Sequence, residues 1–146
     1  MKLSICIPTY NRSSHLKNCL NSIIICKSQS ELNFEVCVSD NCSSDDTESV
    51  VRHAQSFIDV KYQRNSSNIG IPRNFLQVVS MAEGEFIWLM GDDDLLMPYA
   101  ISTLHELIDL HPDVDFFYVN SFHLHTEFLK NFPSPFDTVN LPNNMK

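Results

Sequence analysis

The sequence predicts an α/β fold in which a mostly parallel sheet is flanked by helices. Segments of strand character and segments with helical spacing alternate at least four times along the 146 residues, which is typical of strand–helix–strand units. Polar clusters directly follow three of the predicted strands. The length suits one domain, which we place at residues 1–130, followed by an extended or disordered tail at 131–146.

Each predicted strand is a short run rich in apolar residues. The first run is stopped by Pro8, and the second ends at a turn cluster that begins with Asp40. The run at 86–90 is almost wholly apolar, so we expect that strand to be buried on both faces. The predicted strands are residues 3–7, 34–39, 60–64, 86–90 and 115–119.

The predicted helices repeat apolar residues every three or four positions. The first follows the possible caps Ser13 and Ser14, and the second begins in the acidic segment 44–48, which suits the positive end of a helix dipole. Pro72 is tolerated in the first turn of the third helix. The apolar positions are Leu16, Cys19, Leu20, Ile23 and Ile24, then Val50, Val51, Ala54 and Phe57, then Phe75, Val78, Val79 and Ala82, and the fourth helix spans 98–110.

Charge and composition disfavour several function classes. Ten Lys and Arg residues stand against 18 Asp and Glu, a net charge of −8, whereas nucleic-acid-binding domains usually carry a basic face. No run approaches the length that spans a bilayer, and the first residues are too quickly polar for a signal peptide. With three glycines the chain has neither a Gly-x-Gly-x-x-Gly pattern nor a P-loop. The five cysteines are odd in number and lack a Cys-x-x-Cys pair, which predicts buried thiols and a cytoplasmic location.

Asp92, Asp93 and Asp94 follow the apolar strand directly. Three adjacent carboxylates repel one another, so a cation or protonation must relieve the charge. Proteins commonly hold Mg²⁺ with one or two carboxylates together with substrate phosphates. The alternative is a solvated acidic turn that caps the next helix, and the triplet alone does not decide between the two.

Three further residues have side chains suited to a polar ligand. Asp40 follows the second strand and can accept hydrogen bonds from the edge of a base, or it can satisfy its own turn. Arg73 lies in the first turn of a predicted helix, and Arg12 follows the first strand. The planar guanidinium fork suits phosphate or carboxylate, although both arginines are equally compatible with surface positions.

Four motifs resemble the N-terminal, nucleotide-binding part of the family-2 inverting glycosyltransferases. They lie at residues 4–12, at 38–47, at 68–70 with 73–74, and at 83–87 leading into the acidic triplet. The resemblance runs from about residue 4 to residue 110. It implies a GT-A fold, a nucleotide-sugar donor and a divalent metal ion, Mg²⁺ or Mn²⁺. Members of the family generally continue well beyond this length, so we expect the fold to be incomplete at its C-terminus.

The resemblance also implies a role for each matching position. Pro98, four residues after Asp94, fits the spacing of the family pattern. Gly91 stands where that pattern has its first Asp, which leaves the role of Asp92 open. The implied positions are Pro8, Thr9 and Tyr10 around the nucleoside, Arg12 on the nucleotide, Asp40 on the pyrimidine base, Arg73 near the base or the phosphates, Asp92 and Asp93 toward the donor, and Asp94 on the metal.

The implied activity is transfer of a sugar from a nucleotide-diphosphate donor to a glycan or lipid-linked acceptor hydroxyl, with inversion, in bacterial surface polysaccharide synthesis. A weaker similarity of residues 88–96 to transferases of dideoxyhexoses such as abequose indicates O-antigen assembly. The donor nucleotide stays open among UDP, CDP and dTDP types. No catalytic base can be assigned after Asp94.

Two alternatives stay open, a non-catalytic nucleotide-sugar-binding fragment and a metal-dependent phosphotransfer domain. Peripheral attachment at the inner face of the plasma membrane is also open. Large exposed apolar patches tend to associate, so the phenylalanines of the last third predict self-association. They are Phe116, Phe117, Phe122, Phe128 and Phe132.

Overall fold

The structure is a computed structural model that describes residues 2–28, 33–119 and 121. Within these ranges strands and helices alternate strictly, which confirms the predicted α/β class, and none of the helices is long and apolar enough to cross a bilayer. The elements are β1 (Leu3–Thr9), α1 (Ser13–Ser28), β2 (Phe34–Asp40), α2 (Thr47–Ala54), β3 (Val60–Arg64), α3 (Ile71–Ser80), β4 (Phe86–Leu89) and α4 (Ala100–Leu110).

The described strands are parallel and form one sheet in the order β3-β2-β1-β4. β1 and β2 lie in the middle of the sheet, and all of their residues are buried. The register places Thr9 opposite Asp40, and Asp40 opposite Arg64. Because the carboxyl ends of parallel strands share one edge, the polar segments after the strands meet there.

β4 is an edge strand among the described residues, so the prediction that it is buried on both faces is wrong. Ile87 and Leu89 are each 45% exposed. They pair with Ser4 and Cys6, on the face where α3 packs against β1 and β2. An apolar run predicts burial, but the pairing order decides whether a strand lies inside the sheet or at its edge.

Contacts divide the chain into two units, Met1–His105 and Glu106–Lys146. The described part of the second unit holds the end of α4 and a turn in which the Val114 N–H donates to the carbonyl of His111. The predicted domain boundary after residue 130 and the predicted tail at 131–146 lie outside the described residues.

The predicted fifth strand at 115–119 is also wrong, because these residues form no ladder. Phe116 and Tyr118 are 79% and 83% exposed. A strand forms only where a neighbouring strand satisfies its backbone N–H and C=O groups, and an apolar composition does not supply that neighbour.

Asp45 caps the helices α1 and α2 together. α1 begins at Ser13, so Ser13 and Ser14 are inside the helix and the prediction that they precede it is wrong. One oxygen of Asp45 accepts the Ser13 N–H at 2.8 Å, and the other accepts the N–H and the hydroxyl of Thr47 at 3.2 and 2.6 Å. Desolvation favours the protonated form, but these bonds outweigh it and lower the pKa of Asp45 to about 2.

Gly84 lies where the chain before β4 comes close to β1. The Ser4 hydroxyl accepts the Gly84 N–H at 2.7 Å and donates to buried Glu35 at 2.6 Å. Glu35 also accepts the Glu83 N–H at 2.6 Å and pairs with Lys61 at 2.7 Å. Burial opposes ionisation of Glu35, but the bonds from Lys61, Ser4 and Glu83 outweigh it and lower its pKa. The Glu-Gly-Glu motif therefore anchors the start of β4.

Candidate functional site

The segments after β1 and β4 meet at the carboxyl edge of the sheet. The Thr9 hydroxyl donates to Oδ2 of Asp92 at 2.8 Å across 83 residues of sequence. Asp92 is buried, and burial raises its pKa, an effect partly offset by the bond from Thr9 and by the charge of Arg12. A carboxylate in this position needs such partners because an uncompensated charge is costly in the protein interior.

Arg12 bridges two carboxylates of the acidic triplet. Its two terminal nitrogens lie 3.2 Å from Oδ1 of Asp92 and 2.9 Å from Oδ2 of Asp93. Desolvation opposes ionisation of Asp93, but Arg12 outweighs it and lowers the pKa of Asp93, while the bond to Asp93 raises the pKa of Arg12. The cation that the triplet was predicted to need is therefore supplied in part by the protein itself.

Gly91 leaves room for the other oxygens of the triplet. A Cβ at this position would lie 2.9 Å from Oδ1 of Asp93 and 3.0 Å from Oδ2 of Asp94. The same Asp94 oxygen accepts the N–H of Gly91 at 2.9 Å. The two carboxylates thus converge beside Gly91, in space that any side chain there would occupy.

Asp40 lies at the end of β2 and is 1% exposed. Its Oδ1 accepts the Ser43 N–H at 2.8 Å, and its Oδ2 accepts the Tyr62 hydroxyl at 2.8 Å and lies 3.6 Å from Nε of Arg64. Burial and the bond to Asp40 raise the pKa of Tyr62. This arrangement is the turn-satisfying role that the sequence left as an alternative, and base binding by Asp40 stays a prediction.

The loops after β1 and β2 are joined by hydrogen bonds. The Asn11 N–H donates to Oγ of Ser43 at 2.8 Å, and Oδ1 of Asn11 accepts the Ser44 N–H at 2.8 Å. Asn11 and Cys42 both have a positive φ, of 51° and 69°. Asparagine adopts this conformation more readily than most residues with a side chain, so of these two positions it is Cys42 that carries backbone strain.

A network of buried amide side chains stabilises the loops at the same edge of the sheet. Asn74 of α3 accepts the Ser39 hydroxyl at 2.7 Å and the side-chain N–H of Asn65 at 2.9 Å. It donates to the carbonyl of Ser39 at 3.0 Å. Asn41 accepts the Ile69 N–H at 2.8 Å and donates to Asn68 at 2.8 Å. These bonds tie the ends of β2 and β3 to the loop before α3.

The structure does not bring all predicted site residues into one contact network. Pro8 is buried within β1 opposite Ser39, and Tyr10 is exposed directly after that strand. Arg73 is exposed in the first turn of α3 and has no hydrogen bond or ion pair with the described residues. Thr9, Arg12, Asp92 and Asp93 do form a single cluster.

A groove of about 280 Å³ lies elsewhere, between α1 and α2, and holds none of the predicted site residues. Its lining mixes the aliphatic side chains of both helices with polar groups. The lining residues are Lys17, Leu20, Asn21, Ser49, Val50, His53 and Ala54.

Comparison with known proteins identifies the family. The profile named Glycosyl transferase family 2 matches residues 4–139. The chain belongs to glycosyl transferase family 2. This membership removes the phosphotransfer domain as an alternative.

Two relatives and one solved structure illustrate the similarity. Abequosyltransferase RfbV of Salmonella typhimurium is 41% identical over 117 residues, which are 78% of this chain and 34% of that protein. The GalNAc(5)-diNAcBac-PP-undecaprenol beta-1,3-glucosyltransferase of Campylobacter jejuni is 40% identical over 70% of this chain and 33% of its own length. The structure of Staphylococcus aureus TarS 1–349 with UDP superposes with a TM-score of 0.70 at 28% identity, covering 83% of this chain and 38% of TarS.

These matches confirm the predicted GT-A fold for the described residues. The chain spans about a third of the length of the two curated relatives. What a complete family-2 enzyme does therefore comes to this chain only as a proposal.

Enzymes with the GT-A fold commonly use a divalent metal ion, and the carboxylates of the acidic triplet are oxygen ligands of the kind that Mg²⁺ takes. Among the described residues, no group of three or more His, Cys, Asp or Glu side chains is arranged to hold a metal. Asp92 and Asp93 are engaged by Arg12, and Asp94 is engaged through one oxygen by Gly91. One or two carboxylates completed by phosphate oxygens is the arrangement that Mg²⁺ ordinarily uses.

Sequence reasoning missed the residues that support the loops at this edge of the sheet. Asn41 and Asn74 lie within the family motifs but received no predicted role, and Tyr62 was placed in a strand without further function. One signal was available for Asn74. It lies four positions before Val78 on the buried stripe of α3, and a polar residue at a buried position normally has hydrogen-bond partners.

Proposed function

We propose that this chain forms the donor-binding part of an inverting glycosyltransferase that acts in bacterial surface polysaccharide synthesis. The observation that carries the proposal is the cluster at the sheet edge that Thr9 and Arg12 form with Asp92 and Asp93. The named activities of the relatives support the polysaccharide context. The TarS structure with UDP supports a nucleotide-sugar donor.

The nucleoside would lie over the ends of β1 and β2. Tyr10 is exposed there and offers a ring face, and Pro8 and Thr9 belong to the strand beneath. Arg73 is a guanidinium without a partner among the described residues, so it is available for the base or the phosphates. Asp40 would contact the base only if Tyr62 or Arg64 first gave up its contact with Oδ2 of Asp40.

Asp94 would hold the divalent metal, Mg²⁺ or Mn²⁺, with Asp93 beside it and facing the donor. The metal would supply positive charge that stabilises the departing diphosphate. Arg12 is a protein cation that contacts Asp93, and a guanidinium fork also binds phosphate oxygens well.

The complete reaction would be a single displacement at the anomeric carbon. It needs a general base that deprotonates the acceptor hydroxyl. Candidates by residue type alone are the acidic residues Asp115, Glu127 and Asp137, which follow the triplet. The base, the glycan or lipid-linked acceptor and the sugar stay open, and so does a cytoplasmic location at the inner face of the plasma membrane.

Thermal unfolding with UDP, CDP, dTDP or GDP, each with Mn²⁺, tests the donor-binding proposal. A ligand that binds only the folded chain raises the melting temperature by mass action. We expect a UDP, CDP or dTDP donor type to raise it in a metal-dependent way. Asp94→Asn should remove the metal-dependent part, whereas Asp59→Asn, at an exposed carboxylate before β3, should not. No shift with any nucleotide would overturn the proposal.

The non-catalytic fragment stays as a second candidate because the assignable residues lie at or before Asp94. Both candidates predict nucleotide binding. They differ in turnover, which is measured as release of free nucleoside diphosphate from the donor in the presence of candidate acceptors.

A further inference from the structure

Arg12 pairs with Asp92 and Asp93, the two carboxylates that precede Asp94, which would hold the metal in the proposed function. The pair with Asp93 joins side chains that are 42% and 52% exposed, so neither partner is locked in place by packing. The second pair joins Arg12 to buried Asp92. Because a guanidinium and a divalent cation are both positive, they compete for such oxygens and repel each other when both are close.

The backbone of Arg12 is anchored, while its side chain is 42% exposed. Its carbonyl accepts the Leu16 N–H at 3.0 Å in the first turn of α1. The preceding Asn11 is held by Ser43 and Ser44 of the neighbouring loop. Any rearrangement at this position is therefore confined to the long Arg12 side chain, which reaches out from a fixed point beside the triplet.

We propose that Arg12 is the resident counter-ion of the acidic triplet and makes metal binding depend on nucleotide. Without nucleotide, Arg12 holds Asp92 and Asp93 and keeps a divalent cation from binding tightly. When a nucleoside diphosphate binds, Arg12 leaves Asp93 for the diphosphate, and the carboxylate becomes available to the metal. This inference rests on the proposed function, since it takes the diphosphate as the group that draws Arg12 away.

A different role for Arg12 makes the opposite prediction. If Arg12 only clamps Asp93 in the geometry that a metal requires, removing the guanidinium weakens metal binding whether or not nucleotide is present. If Arg12 competes with the metal, removing it strengthens the binding of metal alone and weakens the binding of nucleotide with metal. Because competition predicts opposite changes in Mn²⁺ affinity without and with nucleotide, the two measurements separate this role from a general loss of structure.

Arg12→Met tests the proposal because methionine keeps an unbranched apolar stem and removes the charge. Free Mn²⁺ is measured by electron paramagnetic resonance, first with protein alone and then with UDP, CDP or dTDP, whichever the unsubstituted chain binds most tightly. Without nucleotide we expect Arg12→Met to bind Mn²⁺ about tenfold more tightly, because one adjacent positive charge is gone. With nucleotide we expect about tenfold weaker binding of the Mn²⁺–nucleotide complex, because a charge-assisted bond to phosphate is lost.

Arg52→Met is the matched control. Arg52 also pairs with a carboxylate, that of Glu48 on α2, but it belongs to none of the site segments. Its replacement should change neither the binding of Mn²⁺ alone nor the binding of the Mn²⁺–nucleotide complex. Arg12→Lys keeps the charge and should bind Mn²⁺ alone like the unsubstituted chain, so it carries the test if Arg12→Met fails to fold.

Equal or weaker binding of Mn²⁺ alone by Arg12→Met, in a chain that binds nucleotide, overturns the inference and leaves the proposed function intact. Unchanged affinity for the Mn²⁺–nucleotide complex also overturns it, because Arg12 would then not reach the diphosphate. If the unsubstituted chain binds none of UDP, CDP, dTDP and GDP, the proposed function is wrong, and the proposed movement of Arg12 to the diphosphate is wrong with it.

Discussion

The absence of a Cβ at Gly91 and at Gly84 makes room for two different kinds of group. At Gly91 the missing Cβ leaves room for the ends of two carboxylate side chains. At Gly84 it leaves room for backbone, since a Cβ would lie 2.7 Å from the nitrogen of Ser4 and 2.8 Å from the carbonyl carbon of Leu3. Carboxylate ends can turn away, whereas a buried central strand cannot, so the two positions differ in what a methyl group would disturb.

Gly91→Ala should impair metal-dependent nucleotide binding while largely preserving stability. The added methyl displaces the oxygens of Asp93 and Asp94, and loss of a group that orients metal ligands typically costs about 10- to 100-fold in affinity. Calorimetric titration of Mn²⁺ in the presence of UDP or CDP measures the effect. An unchanged affinity would show that the convergence of the two carboxylates plays no part in binding.

Gly84→Ala should destabilise the fold by about 1–3 kcal/mol, because the methyl would overpack against the backbone of β1. Urea unfolding measures the loss. Gly70→Ala is the comparison. Gly70 has a φ of 83° and a ψ of 157°, a conformation that residues with a side chain rarely adopt, and nothing lies within 4 Å of the position that a methyl group would take. Its loss of about 1–3 kcal/mol would therefore come from backbone strain and not from a close contact. A loss below about 1 kcal/mol for Gly84→Ala would contradict the close approach.

At the scale of elements, one carboxylate sets the relative position of α1 and α2. Asp45 accepts the first N–H of α1 and the first N–H of α2, although the two helices are separated by β2 in the chain. Helix N-termini have unpaired N–H groups, and a negative charge there also suits the helix dipole. The loop that carries Asp45 is the one that begins at Asp40, so helix capping and site geometry are linked.

Asp45→Asn should lower stability by about 1–2 kcal/mol near neutral pH, the usual range for loss of a strong helix cap. The pKa of Asp45 is about 2 in the folded chain and about 3.9 when unfolded. The contribution of its charge is therefore complete above about pH 4 and is lost as pH falls toward 2. Urea unfolding at several pH values should show the difference between parent and variant shrinking below pH 4.

Asp46→Asn is the control for that experiment. Asp46 is the N-cap of α2 but makes no side-chain capping bond. Its replacement should cost little and should leave the pH dependence in place. A pH-independent difference for Asp45→Asn would mean that the carboxylate charge is not what stabilises the two helices.

At the scale of the whole molecule, the described sheet ends at a strand with apolar residues on an open face. Ile87 and Leu89 lie on that face, and unpaired edge strands of this kind promote association. Of the last-third phenylalanines that predicted self-association, Phe116 is exposed and Phe117 partly buried, and the others lie outside the described residues. Self-association stays a prediction.

Light scattering should rise with protein concentration, and Ile87→Lys should reduce that rise without a large loss of stability. The reason is that a charged side chain on an edge strand opposes pairing with another chain. Phe57→Lys places the same charge at an exposed position of the segment after α2 and serves as the control. Scattering that is independent of concentration in the parent chain would contradict the prediction.

The 146-residue chain should bind a nucleoside diphosphate with metal but transfer sugar slowly or not at all. General-base assistance contributes about 10²–10⁴-fold, and a missing base lowers the rate without removing donor affinity. Donor turnover with candidate acceptors measures this. Robust transfer by a monomer would show that a complete active site is present within the chain.

Local patterns were sufficient for the first eight elements and their order. Alternating periods identified the strands and helices, and the four-residue gap from Asp94 to Pro98 supported the family assignment. They failed for the predicted strand at 115–119 and for the burial of β4, because the apolar character of a run does not state which neighbours the strand has. The positions of the candidate residues after strands were also visible locally, because a parallel sheet gathers its carboxyl ends at one edge.

The sequence by itself determined the fold class, the family and the edge of the sheet at which the polar residues meet. Only the tertiary structure decided which of those residues touch. Arg12 and Asp93 are 81 positions apart, and Asp45 joins helices on either side of β2. Periodicity reports which face of an element is apolar, but a hydrogen bond or ion pair depends on the three-dimensional register of distant segments. That register exists only once the sheet has ordered its strands and the helices have packed on it.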